Sequence, residues 1–229
     1  MSSEKGHVLQ ALLFGDPSKY DAELSGQILV SLQSVSTYDL FGIVKASSSS
    51  IKEIQTDWIP QFSNIDDLYR VLRIISDSPE KDLTWGKLGY YLCPVGSKTG
   101  AKNKYGENHY KLAVQLGLAN QGMPLSLTKL GKDFYSSALG SEKRKEFIGK
   151  LAMRIPVIQE ALIAAELGRF NMLSYLKTFL AESTALRRRS SITQLLNVIE
   201  SITTEPKMLS ILWNIYWKRE ENELSQPNI

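Results

Sequence analysis

The side chains best suited to chemistry in this 229-residue chain lie in one run, Ala181 to Ile202, AESTALRRRSSITQLLNVIESI. Arginine pairs with phosphate or guanine, serine with either, and glutamine or asparagine with adenine, so this run has the residue types of a nucleic-acid reader. Helical spacing at about 100° per residue puts Ile192, Leu195, Leu196 and Ile199 on a buried stripe. Arg187, Ser190, Ser191, Gln194 and Asn197 then share the opposite, acid-free face. Arg188 and Arg189 fall on the two flanks, where they either snorkel outward or pair with an acid. Ser183 or Thr184 is expected to cap the helix. A solvated basic helix without a ligand has the same pattern.

A second basic group comes earlier. Lys98, Lys102 and Lys104 lie in CPVGSKTGAKNKYG, expected as a loop, ahead of a helix from Glu107 to Leu116. The spacing of that helix turns Lys104, Glu107, Tyr110, Lys111 and Val114 outward, and Tyr105, His109, Leu112, Ala113 and Leu116 inward. His109 therefore reads as a core histidine. Lys129 and Lys132 follow in LTKLGKDFY as further phosphate contacts, and Gly117 sits where a C-cap glycine belongs.

Other chemistry has little support. The single Cys93 rules out an intramolecular disulfide or a cysteine-rich zinc site and suits a cytoplasmic protein. His7 and His109 are too few for a histidine finger, and Gly96, Gly100 and Gly106 lack the spacing of a phosphate-binding loop. The acid-x-Lys match, Glu205-Pro206-Lys207, is expected between helices rather than on a strand. Asp16, Asp21, Glu23, Asp39 and Glu53, with Lys45 and Lys52, are acids and bases that a hidden nuclease site would need, and surface solvation accounts for them more simply. No catalytic residue is assigned, and no cofactor or metal is expected. The balance leans away from an enzyme without excluding a nuclease.

The elements that must position these groups read as mainly α. Residues 1–60 form a small α+β accessory segment: a short helix from Val8 to Phe14 ended by Asp16-Pro17, then β-rich runs at Gln27–Leu32 and Leu40–Val44. Residues 61–140 hold a helix with stripe Ile65, Leu68, Leu72 and Ile75, capped by Ser63 or Asn64. A short helix Thr84–Leu92, the Glu107 helix, a hairpin-like wing and a helix capped by Thr128 complete a winged helix-turn-helix. Residues 141–229 read as all-helical, with a second helix-turn-helix delivered by the turn Ala181–Ser183. A final helix, Met208–Trp217, carries more apolar surface than one stripe needs, and the tail from Arg219 is expected to fray. The formal net charge of +3 divides as 4 basic and 7 acidic residues in 1–60, 10 and 7 in 61–140, and 13 and 10 in 141–229. The basic excess thus lies in the two helix-turn-helix segments. No apolar run is long enough for a signal peptide or a membrane span, so no membrane partner is expected.

From about Pro60 to Ile202 the chain resembles the winged-helix DNA-recognition region of type II restriction endonucleases and related phage-defence proteins. The resemblance rests on IDDLYRVLRIIS, GENHYKLAVQLGL, LTKLGKDFY, SEKRKEFIGKLAMRIPVIQEAL and above all STALRRRSSITQLL. It implies a tandem helix-turn-helix protein that reads double-stranded DNA sequence-specifically and works with a separate nuclease subunit or as a homodimer. A transcriptional regulator built from the same modules is the alternative. The DNA-contacting set is then Arg187, Arg188, Arg189, Ser190, Ser191, Gln194 and Asn197, with Lys98, Lys102, Lys104, Tyr110, Lys111 and Lys129.

Overall fold

Helix-starting chemistry accounts for much of the architecture. The computed structural model describes residues 3–78, 82–94 and 96–216. Among them are twelve α-helices: α1 (Ser3–Phe14), α2 (Ala22–Ser34), α3 (Thr37–Ala46), α4 (Asp67–Asp77), α5 (Trp85–Leu92), α6 (Thr99–Gln115), α7 (Lys129–Ser136), α8 (Ser141–Ala152), α9 (Pro156–Leu167), α10 (Met172–Lys177), α11 (Glu182–Ser201) and α12 (Pro206–Asn214). Asp21, Ser36, Thr84, Thr128 and Asn171 each accept a backbone N–H in the first turn of the helix they precede. Pro156 and Pro206 occupy first-turn positions, where the missing N–H costs nothing. Pro156 thus starts α9 as well as ending the turn after α8.

The N-terminal segment is helical, not α+β. Its β-rich runs lie inside α2 and α3. The caps at Asp21 and Ser36 and the spacing of the apolar residues override β propensity there: Ile28 and Leu32 are four apart, as are Leu40 and Val44, and all four are fully buried. Asp16, Asp21 and Asp39 are used in cap and turn bonds, Asp39 through Ser36.

One hydrophobic cluster extends from Val8 to Ile215, so residues 1–60 pack into the same core as the rest. Polar bonds reinforce the join. The Ser25 hydroxyl on α2 donates to Asp133 on α7 at 2.7 Å. Lys150 of α8, 5% exposed, donates to the Leu32 carbonyl at 2.7 Å and to Glu146 at 2.5 Å. Thr37 and Thr203 share a buried hydrogen bond of 2.9 Å.

Strand is scarce among the described residues. Phe170–Asn171 (β1) and Ile215–Tyr216 (β2) pair in parallel, so the expected helix Met208–Trp217 ends at Asn214, and Trp217 and the Arg219 tail lie outside the described residues. Between α6 and α7, a tight hairpin carries one antiparallel bridge, Ala119 to Leu127. Gly117, at φ +77°, closes α6 by donating to the Val114 carbonyl. Among the described residues no helix is long and apolar enough to cross a membrane.

Candidate nucleic-acid interface

Helix α6 begins at Thr99, not Glu107, so the expected loop of lysines is largely two exposed helical turns. Lys98 stands at its N-cap without a side-chain cap bond, and no acid occupies the first turn. Lys98, Thr99, Gly100, Ala101, Asn103 and Lys104 are exposed. Lys102 is half-buried, with its ammonium 4.6 Å from the centre of the exposed Tyr90 ring.

Three glycines let α5 approach this helix very closely. A Cβ on Gly89 would lie 1.8 Å from the Lys102 carbonyl oxygen, and one on Gly106 would lie 2.1 Å from that of Trp85. A Cβ on Gly86 would lie 2.3 Å from the Asn103 amide oxygen. Helix α4 is tied in by polar contacts: the Tyr105 hydroxyl donates to Asp67 at 2.6 Å, and Arg70 donates to the other oxygen of the same carboxylate at 2.6 Å. Burial, then the bond to Asp67, pushes the Tyr105 phenol upward in pKa.

His109 is a core residue, stacked on Tyr105 at 4.1 Å and edge-on to Phe62. Its Nδ1 lies 2.9 Å from the Tyr105 carbonyl, while Nε2 is buried without a partner. Burial holds its pKa below the ordinary imidazole value, outweighing the opposing bond to Tyr105 and the charge of Asp67. The unfolded chain therefore takes up a proton near pH 6.5 that the folded chain refuses. Stability should be complete above that pH and fall as the pH drops toward the depressed folded value, by at most about 1.4 kcal/mol per pH unit. Melting curves from pH 8 to pH 5 measure this, and His109→Gln should flatten the slope.

Tyr110, expected to face outward, is 2% exposed. Its hydroxyl donates to the Asn120 carbonyl at 2.6 Å and accepts from the Ser126 N–H at 3.1 Å, which pins the hairpin. It is not available to DNA. Lys104 and Lys111 both pair with Glu107, each at 2.9 Å. Burial alone would raise the Glu107 carboxyl, but hydrogen bonds from these lysines outweigh it and hold the pKa below the usual range. Lys129 is exposed but paired with Asp133. Lys104, Lys111 and Glu107 border a polar notch of about 130 Å³ that also reaches Asp57 and Arg188. Residues from both basic groups thus meet there.

Helix α11 departs most from expectation. It starts at Glu182 with Ala181 at the N-cap and no side-chain cap bond, so Ser183 and Thr184 lie within the first turn. Ile192, Leu195, Leu196 and Ile199 are fully buried as the spacing requires. The polar face, however, is divided. Arg187, Ser190 and Asn197 are exposed, and Arg187 donates to the Thr184 hydroxyl at 3.3 Å. Ser191 is 1% exposed: its Oγ accepts from the Phe62 N–H and donates to the Phe62 carbonyl, both at 2.8 Å. Gln194 accepts from the Ile65 N–H and donates to the Ser63 carbonyl, both at 3.1 Å. Arg188 donates to the Ile59 carbonyl, and burial lowers its pKa. Arg189 is half-buried.

Three of the expected DNA contacts therefore bind the chain's own extended segment 59–65. They satisfy backbone groups much as a neighbouring β-strand would. Only the i, i+3, i+6 spacing of Arg188, Ser191 and Gln194 hints at this in the sequence, and an outward polar stripe has the same spacing.

Glu205-Pro206-Lys207 starts α12, with Glu205 at the N-cap, and is not part of a strand. Among the described residues, no group of three or more His, Cys, Asp or Glu is placed to hold a metal ion. Compared with known proteins, the chain matches no family model, no curated protein and no solved structure.

Proposed function

We propose that the chain binds double-stranded DNA sequence-specifically, as the recognition subunit or domain of a restriction or other phage-defence system in which a partner supplies the nuclease. In this reading α4, α5, α6, the Ala119–Leu127 hairpin and α7 form a winged helix-turn-helix, and α6 is the reading helix. The observation that carries it is the exposed, acid-free N-terminal half of α6 backed by α5. A recognition helix places such N-terminal residues against base edges in the major groove. Asn103 is the amide suited to adenine, and the uncapped first-turn N–H groups, Lys98 and Lys102 suit phosphates. Arg187 and Ser190 of α11 add contacts, whereas Ser191 and Gln194 are spent internally.

Lys104, Lys111 and Lys129 are neutralised by their own acids. The phosphate count is therefore about three, and a fourfold rise in salt should weaken binding on the order of fortyfold. Titration of a random-sequence duplex at several salt concentrations checks this; the absence of any slope removes the reading. Asn103→Ala should relax one base position in sites selected from a random pool and cost about 1–3 kcal/mol there.

One observation favours a regulator acting as a dimer. Trp213 on α12 is 68% exposed, and a buried aromatic commonly anchors a subunit contact. Light scattering decides it: a monomer bound to an asymmetric site argues against the regulator.

A further inference from the structure

Arg154, in the turn between α8 and α9, serves no DNA-facing role. Its Nη2 donates to the Gly15 carbonyl at 3.2 Å, while Nη1 is buried with no partner. Burial pulls the guanidinium pKa downward. Tyr20 and the Asp16 carboxylate favour the charge from nearby, yet Nη1 has no hydrogen-bond partner, and a charge buried this way is costly unless an anion joins it. Gly117 makes room for the guanidinium itself: a Cβ there would lie 1.7 Å from Nη1.

Arg154 is one of the residues around a cavity of about 600 Å³, within the range that takes small organic ligands. A second orphan stands in the same wall. Gln115 donates its amide N–H to the Trp58 carbonyl, but its Oε1 is buried without a donor. Trp58, Ile54, Val114 and Val157 supply flat and apolar surface between them. Asp16 and Glu53 at the lining offset Lys52 and Arg154, so a highly charged ligand is disfavoured and a single anionic group is suited.

We propose that this cavity is a binding site for a small aromatic anion, with its carboxylate or phosphate on Arg154, a ring N–H or O–H donated to Gln115 Oε1, and its flat body against Trp58. The site touches only the C-terminal end of α6, away from its exposed N-terminal half, and its test involves no DNA.

The full chain should be tested with indole-3-acetate, benzoate and phenyl phosphate, and with indole-3-acetamide as the uncharged isostere of the first, by saturation-transfer NMR and thermal shift. The anions should bind with dissociation constants near or below about 1 mM, and the acetamide should bind at least about tenfold more weakly. The carboxylate and phosphate arms establish which anion the site prefers. Arg154→Met should abolish the response while leaving the melting temperature of the unliganded chain unchanged or higher, because it removes an unpaired buried charge. Lys52→Glu, at an exposed position, should weaken the anions about threefold while the protein stays folded. Equal binding of acetate and acetamide, unaltered binding by either variant, or no binding of any anion at about 10 mM would overturn the proposal.

Discussion

Gly106→Ala is expected to destabilise the protein by about 3 kcal/mol, the upper end of what overpacking a tight contact costs. Helix propensity alone has the opposite sign, since alanine is favoured over glycine in a helix interior by about 1 kcal/mol. The contact decides. The new Cβ would meet the Trp85 carbonyl oxygen at 2.1 Å and the Gly89 nitrogen at 2.7 Å. Both are backbone atoms, so no rotamer change relieves the clash, and α5 must move off α6 as a unit. Gly100→Ala is the matched control: it lies in the same helix, is exposed and has nothing within 4 Å of its added Cβ. It should be neutral or stabilising by up to about 1 kcal/mol. Urea unfolding of the two variants beside the wild type measures the difference. If Gly106→Ala were as stable as Gly100→Ala, the close crossing of α5 and α6 would be wrong, and the presentation of α6 to DNA with it.

Ser191→Ala is expected to destabilise by about 2–4 kcal/mol, because one hydroxyl satisfies both backbone groups of Phe62. Its loss leaves a buried N–H without an acceptor and a carbonyl without its donor. Alanine adds no bulk and suits a helix, so the effect isolates the hydrogen bonds. The comparison also separates two roles for α11. As a base-reading residue, Ser191 would be exposed, and its substitution would alter DNA affinity with little change in unfolding. As the clamp on segment 59–65, it changes unfolding first. Ser190→Ala, on the exposed side of the same helix, should leave stability within about 0.5 kcal/mol. Chemical denaturation and a binding titration on the same samples keep these outcomes apart.

Both expectations bear on how a basic helix is interpreted. Three arginines, two serines, a glutamine and an asparagine suggest a nucleic-acid surface, yet each of these side chains bonds a peptide group as readily as a base edge. In α11 the neighbouring backbone took Arg188, Ser191 and Gln194. In α6, Lys98, Asn103 and Lys104 have no such segment over them among the described residues and remain exposed, while Lys102 is half-buried beside Tyr90.

What the sequence determined by itself was local. The cap at Thr128, Gly117 beyond α6, and the stripe Ile192, Leu195, Leu196 and Ile199 follow from chemistry within a few residues, and the structure keeps them. The buried place of His109 came from the same periodicity. Tertiary structure decided the rest. The N-terminal β-rich runs became helices because capping and a helical apolar spacing outweigh a weak strand preference that lacked partners. Tyr110 turned inward to hold a hairpin ten residues ahead. The polar face of α11 was divided by a segment about 130 residues distant in the chain. Helical spacing specifies which side chains share a face, but not what covers that face. The partner of a polar group is chosen by long-range packing, which must satisfy every buried N–H and carbonyl.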